Sequence, residues 1–208
     1  MLRLIADALT CQRGGRVVFS HLSFTVTSGE AVQVTGPNGA GKSSLLRLIA
    51  GLVRAESGRL VLEGGDPEAS LGEQCHYCGH QDAFKGSLTV AENLAFWTDF
   101  LGGGGIAAPA AMERLGIAHL ADLPAGYLSA GQRRRLALAR LLTVSRPVWL
   151  LDEPTAALDV TSQAVLASVM AEHVATGGII LAATHGPLGL PVRDLSLGRA
   201  APAAPVAA

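Results

Sequence analysis

Several things are scarce in this chain. Aromatic residues make up 4% of its 208 positions and there are 3 cysteines. No stretch approaches the roughly 18 to 20 consecutive apolar residues that a membrane-spanning helix needs. Its longest apolar window, Phe100 to Met112, is interrupted by the glycines 102–105 and by Pro109, so the positive mean hydropathy of +0.36 does not imply a span. No basic segment followed by an apolar run opens the sequence, and no secretory signal is expected. The odd set Cys11, Cys75 and Cys78 then argues against a disulfide framework. A formal charge of -1 provides no general attraction for phosphate backbones, so nucleic acid is not an expected partner. The absences leave a folded chain that is cytoplasmic or peripheral to a membrane.

Nearly half the residues, 49%, are apolar, and Gly and Ala are abundant, a balance suited to helices packed closely on a sheet. Strands are expected at Leu2 to Ala8, Ser23 to Val26, Ala31 to Thr35, Leu60 to Leu62, Cys75 to Cys78, Val148 to Leu151 and Ile179 to Ala183. Helical patterns at Lys42 to Ala50, Gln132 to Thr143 and Thr161 to His173 follow several of these, which predicts an α/β fold with a mostly parallel sheet. From about residue 82 to 130 the strand signal stops. Val90, Leu94, Trp97 and Leu101 keep a 3.6-residue period there, so a helical subdomain inserted in a single domain of residues 1–198 is expected. The glycines 102–105 read as a flexible link, and the Ala/Pro tail 199–208 as disordered.

The chemistry starts at Gly36-Pro37-Asn38-Gly39-Ala40-Gly41-Lys42-Ser43, which fits G-x-x-x-x-G-K-[ST] between a buried strand and an apolar helix. Glycines let backbone N–H groups turn inward around a phosphate, and the helix that begins here and continues through Ser44 adds its positive end. Lys42 is expected on the β- and γ-phosphates of ATP and Ser43 on Mg²⁺. Each charge-assisted hydrogen bond contributes about 1.5 to 3 kcal/mol, so a few account for the roughly 8 kcal/mol of micromolar binding.

Val148 to Leu151 is an apolar run that delivers two acids, Asp152 and Glu153, to a strand end. Asp152 is expected to hold Mg²⁺ and Glu153 to act as general base toward the attacking water. Ser129 is a good N-cap for the helix after it, so Ser129, Ala130, Gly131 and Gln132 open a second helix N-terminus suited to an anion.

In order, the P-loop, Gln81, Leu128-Ser129-Ala130-Gly131-Gln132, Leu150 to Pro154, Asp159 and His185 make the chain similar to the ATP-binding subunits of ABC transporters over nearly its whole length. That resemblance implies an N-terminal antiparallel β portion beside the P-loop core. It also implies a homodimer in which residues 129–132 of one copy cap ATP on the P-loop of the other. It assigns Gln81 to Mg²⁺ sensing and to relay toward a membrane partner, Asp159 to contacts across the dimer, and His185 to the γ-phosphate. Where these proteins often stack an aromatic side chain on adenine, this sequence has Arg13, whose guanidinium could also stack on a base.

Among ABC ATPases the chain most resembles those of cytochrome c maturation, on Asn38 to Arg47, Gly79-His80-Gln81, Leu88 to Leu94, Leu128 to Arg140 and Thr184 to Leu188. The resemblance implies integral membrane subunits at the cytoplasmic face of a bacterial inner membrane and a role in haem delivery, with no direct haem site evident. An ATPase for another exporter, of lipid or drug, is the alternative, and a soluble ABC ATPase a weaker one. Cys75-His76-Tyr77-Cys78 lacks the second pair of a metal site. Arg133-Arg134-Arg135 reads as a solvated or subunit-facing stripe.

Overall fold

The computed structural model describes residues 1–79 and 83–198. Gln81 and the Ala/Pro tail lie outside the described residues. The chain opens with two long strands, β1 (Arg3–Arg13) and β2 (Arg16–Thr27), joined by the Gly14-Gly15 turn. With β4 (Ser57–Glu63) they form an antiparallel sheet in the order β2-β1-β4. A second sheet, wholly parallel, runs β5 (Cys75–Cys78), β6 (Val148–Asp152), β7 (Ile179–Ala183), β3 (Ala31–Thr35), β8 (Arg193–Ser196).

Parallel strands need crossovers, and crossovers cover both faces, so inner strands are apolar throughout. Every residue of β6 and β7 is buried. Val148, Leu150, Ile179 and Leu181 pack toward helix α1 (Lys42–Ile49) and the antiparallel sheet. Trp149, Leu151, Ile180 and Ala182 pack toward α4 (Ala130–Thr143) and α5 (Val160–Ala175). The alternation along each strand divides the core into two halves, one per face. Cys75 and Cys78 follow the same rule and join opposite halves, and burial pushes the Cys75 thiol up to about 12. Two thiols on opposite faces of one strand cannot share a ligand.

Between β5 and α4 lies the helical insertion. Its first helix, α2 (Val90–Leu101), starts on a capping box: the Thr89 hydroxyl accepts from Glu92 N at 3.1 Å, and the Glu92 carboxylate accepts from Thr89 N at 2.8 Å. The glycines after it are not the loose link the sequence suggests. Gly105 N donates to Thr143 O, Ile106 N to Leu142 O and Ser145 N to Gly103 O, which ties the segment to the end of α4. A Cβ on Gly105 would lie 2.0 Å from Leu142 O, so glycine is there for close approach. A short α3 (Ala108–Arg114) follows, with Pro109 in its first turn. Strand β8, absent from the sequence-based expectation, is four residues long and mostly exposed at the sheet edge, so it carries no apolar run.

Two histidines, His76 buried and His173 half-buried, lie on the α4/α5 side. His76 bonds Val144 O through Nε2 at 2.9 Å, and the His173 ring stacks on Trp149 with centroids 3.9 Å apart. Burial lowers both pKa values to about 4. The unfolded chain therefore binds more protons wherever the pH lies between those values and the unperturbed 6.5 or so. Stability should be level, as far as these groups are concerned, above about pH 6.5 and fall as pH drops toward 4. Urea midpoints at pH 7 and pH 5 should show the loss, and His173→Phe, which keeps the stacking, should reduce it.

Candidate active site

Parallel strands place their following loops at one edge of the sheet, and three of those loops meet here. The turn from β3 into α1 runs through residues 36–41, and α1 begins on Gly41 at φ 100° with no side-chain cap and no acidic residue in its first turn. Its leading N–H groups are thus uncontested by a capping oxygen, the arrangement that favours a bound anion. A side chain on Gly41 would strike Val18 at 2.4 Å, so this turn needs glycine both for its conformation and for its contact with β2. Lys42 Nζ donates to Gly36 O at 2.7 Å and to Pro37 O at 3.2 Å, spanning the loop it follows.

Asp152 ends β6 and its carboxylate is buried; Oδ1 accepts from Ser43 Oγ at 3.0 Å and Oδ2 from the Tyr77 hydroxyl at 3.5 Å. Glu153 takes a left-handed backbone, φ 47°, that a non-glycine residue adopts only when its surroundings hold it there. Three contacts do so. Its N–H donates to Ala183 O at 2.8 Å, its carbonyl accepts from Arg134 at 2.8 Å, and its Oε2 accepts from the buried Thr184 hydroxyl at 3.1 Å. His185, the next residue, places Nε2 3.2 Å from Asn38 Oδ1.

Arg134 corrects the sequence reading of its triplet. It is 5% exposed, and its guanidinium donates to the carbonyls of Gly79, Asp152, Glu153 and Pro154. The signal was present in the periodicity: Arg134, Ala137, Leu138 and Leu141 fall at i, i+3, i+4 and i+7, the buried face of α4. Arg135 donates to Leu115 O and Gly116 O, holding the helical insertion against α4.

A cavity of about 490 Å³ joins these groups, lined by Val18, Asn38, Gly39, Gly41, Lys42, Ser43, Ser44, Asp152, Glu153 and His185. Gly36, Pro37 and Ala40 belong to the same loop without lining it. Arg13 lies at the exposed tip of the β1–β2 hairpin, paired with Arg16, and Val18 supplies that wall instead. Ser129, Ala130, Gly131, Gln132 and Asp159 do not line the cavity either. Ser129 and Gln132 close a capping box on each other, at 2.8 and 3.2 Å. Gly131 lies so near Ala157 O that a Cβ would stand 2.8 Å from it, which sets the start of α4 beside the loop leading to Asp159. A larger cavity, about 610 Å³, opens at the opposite edge of the sheet near Gly104, Trp149 and Gly177, and holds none of the phosphate-loop residues.

Ser43 Oγ and Asp152 Oδ1 are hard oxygen donors facing one cavity, a set that suits Mg²⁺ bound partly by protein and partly by nucleotide oxygens.

Residues 19–156 match the model of the ABC transporter family. The cytochrome c biogenesis ATP-binding export protein CcmA of Nitrobacter winogradskyi is 62% identical over 200 residues, covering 96% of this chain and 100% of that protein. The chain belongs to the CcmA family of ABC transporter ATPases. The CcmA of Rhodopseudomonas palustris strain BisB5 is 58% identical over 198 residues, 95% of this chain and 99% of the relative. In fold, this ABC ATPase resembles a putative ABC transporter ATP-binding protein from Pyrococcus furiosus, with a TM-score of 0.80 at 22% identity over 94% of this chain and 97% of that one. Its fold is therefore the P-loop core with an inserted helical subdomain and an N-terminal antiparallel sheet, and its activity is ATP hydrolysis.

Replacing Arg134 by lysine keeps a charge but leaves most of the four carbonyls without a donor. Arg134→Lys should destabilise this ABC ATPase by about 2 to 4 kcal/mol, read as a lower urea midpoint.

Proposed function

We propose that this chain is the energy-coupling ATPase of a membrane exporter complex that serves haem delivery in c-type cytochrome biogenesis. One observation supports the ATPase half above all: the phosphate loop, Asp152, Glu153 and His185 line a single cavity at the carboxyl edge of the sheet. The relatives named for cytochrome c biogenesis support the other half, because the likeness spans 95% or more of the chain.

In the proposed site, the N–H groups of residues 36–44 and the Lys42 ammonium take the β- and γ-phosphates of ATP. Releasing Lys42 from Gly36 O and Pro37 O frees its protons for phosphate oxygens. Ser43 and Asp152 hold Mg²⁺, and Gln81 is the residue that senses it. The cation, when bound, neutralises charge on the transferring phosphate. Glu153 orients the attacking water and accepts its proton, and Thr184 fixes the carboxylate for that role. His185, turned by Asn38, donates to the γ-phosphate. The adenine side is bounded by Val18, with Arg13 beyond it on the hairpin.

A second copy supplies Ser129 to Gln132, with Asp159 beside them, to the ATP of the first. No helix among the described residues is long and apolar enough to cross a membrane. We accordingly assign the spanning part to integral membrane subunits, with this ATPase held peripherally at the cytoplasmic face of the inner membrane.

Lys42→Ala should raise the dissociation constant for ATP about 10- to 100-fold in equilibrium titration. Glu153→Gln should retain ATP and lower turnover at least about 100-fold; undiminished hydrolysis would refute the general-base assignment. Deletion of the gene should abolish c-type cytochromes on haem-stained gels, and normal cytochromes together with an unrelated co-purifying permease would refute the haem pathway.

A further inference from the structure

Asp152 receives two hydroxyl groups, and only one belongs to the phosphate loop. Ser43 lines the cavity and donates to Oδ1 at 3.0 Å. Tyr77, on β5, reaches Oδ2 from outside it at 3.5 Å. Its phenol oxygen also accepts from Arg47 Nε of α1 at 3.1 Å. A phenol oxygen that accepts a hydrogen bond from a guanidinium still has its own O–H to donate, and Oδ2 is the acceptor the structure puts within reach. A cation on the accepting side of a hydroxyl also strengthens the bond the hydroxyl donates.

The ring itself is clamped. A Cβ on Gly79 would stand 2.9 to 3.1 Å from the Tyr77 ring and hydroxyl, so the backbone of residue 79 lies directly on the phenol. The backbone of Tyr77 is tied as well, its carbonyl accepting from Arg140 at 3.2 Å. Strand pairing sets Tyr77 opposite Leu150, two residues before Asp152. The phenol thus has a fixed ring, a fixed strand position and a cation behind its oxygen.

We propose that Tyr77 is a positioning residue that holds the outer oxygen of Asp152, with Arg47 acting through it, so that Oδ1 stays turned toward the metal position beside Ser43. This rests on the reading of Asp152 as a holder of Mg²⁺. Without the phenol bond the carboxylate is free to rotate about its Cβ–Cγ axis, and a site that needs one oxygen at a fixed place loses affinity for the ion. The effect belongs to the cation and not to the phosphate loop, whose N–H groups Tyr77 does not touch.

The test uses the full chain carrying Glu153→Gln, with ADP bound and Mn²⁺ as the spectroscopic probe. Free Mn²⁺ is followed by electron paramagnetic resonance, and ADP affinity in EDTA is measured separately. Tyr77→Phe should weaken Mn²⁺ binding about 10-fold, as loss of an outer-shell partner does, and leave metal-free ADP affinity unchanged. Arg47→Met should weaken Mn²⁺ less, and the double variant should be no worse than Tyr77→Phe alone, because Arg47 acts through the phenol. Mn²⁺ affinity unchanged in Tyr77→Phe would overturn the proposal, as would an equal fall in metal-free ADP affinity, which would make Tyr77 a brace for the fold. Asp152→Asn separates the two levels. If it leaves Mn²⁺ affinity intact, the reading of Asp152 fails; if it weakens Mn²⁺ while Tyr77→Phe does not, only the role of Tyr77 falls.

Discussion

The site depends on one buried guanidinium. Glu153 stands in a backbone conformation that its side chain disfavours, at the point where β6 leaves the sheet. A strand end there has carbonyls with no neighbouring strand to bond them, and buried carbonyls without donors cost about 1 to 3 kcal/mol each. Arg134 meets those of Asp152, Glu153 and Pro154 with a single rigid fork of N–H groups and reaches Gly79 as well. The same residue sits in the second turn of α4, which Ser129 caps. The end of β6, the chain leaving β5 and the start of α4 are thereby one mechanical unit, and displacement of any of them is felt at Glu153.

The parallel sheet gives that unit its place. Both faces of β6 and β7 are dry, so these strands have no freedom to slip, and their carboxyl ends are fixed relative to the turn after β3. Short, polar and strained segments are tolerated at that edge because the scaffold beneath them is rigid. The opposite edge of the sheet has the larger cavity but, among the described residues, no pair of strand-end acids lines it. Volume alone does not make a phosphate site; convergent donors do.

What was legible in the sequence follows from the same physics. Inner strands β6 and β7 read as apolar runs because both faces are buried, and the expected and observed bounds of β3, β6 and β7 agree to within a residue. The phosphate loop was legible because its chemistry requires particular residues at particular spacings. Arg134 was not, because three consecutive arginines look solvated until the helical period separates one of them onto the buried face. The neighbourhood of Arg13 is hard to read from the sequence, because the β1–β2 hairpin shifts register three times and its Ala8 and His21 have positive φ, so linear distance does not say which side chain faces the cavity. The glycines 102–105 look like a loose link in the sequence, yet glycine permits close packing as readily as it permits motion, and here it packs.

The geometry of α4 bears on the proposed pairing of two copies. Its capping box takes up Ser129 Oγ and the Gln132 amide, and both groups are partnered within their own turn. The N–H groups of Ala130 and Gly131 stand outside those two bonds, at the positive end of a 14-residue helix. They do not line the cavity that holds Lys42 and Glu153 in the same chain. Because Arg134 fixes α4 to the end of β6, the helix cannot swing its N-terminus into that cavity without withdrawing the support of Glu153. A helix end held away from the cavity of its own chain is the placement that the proposed head-to-tail dimer requires.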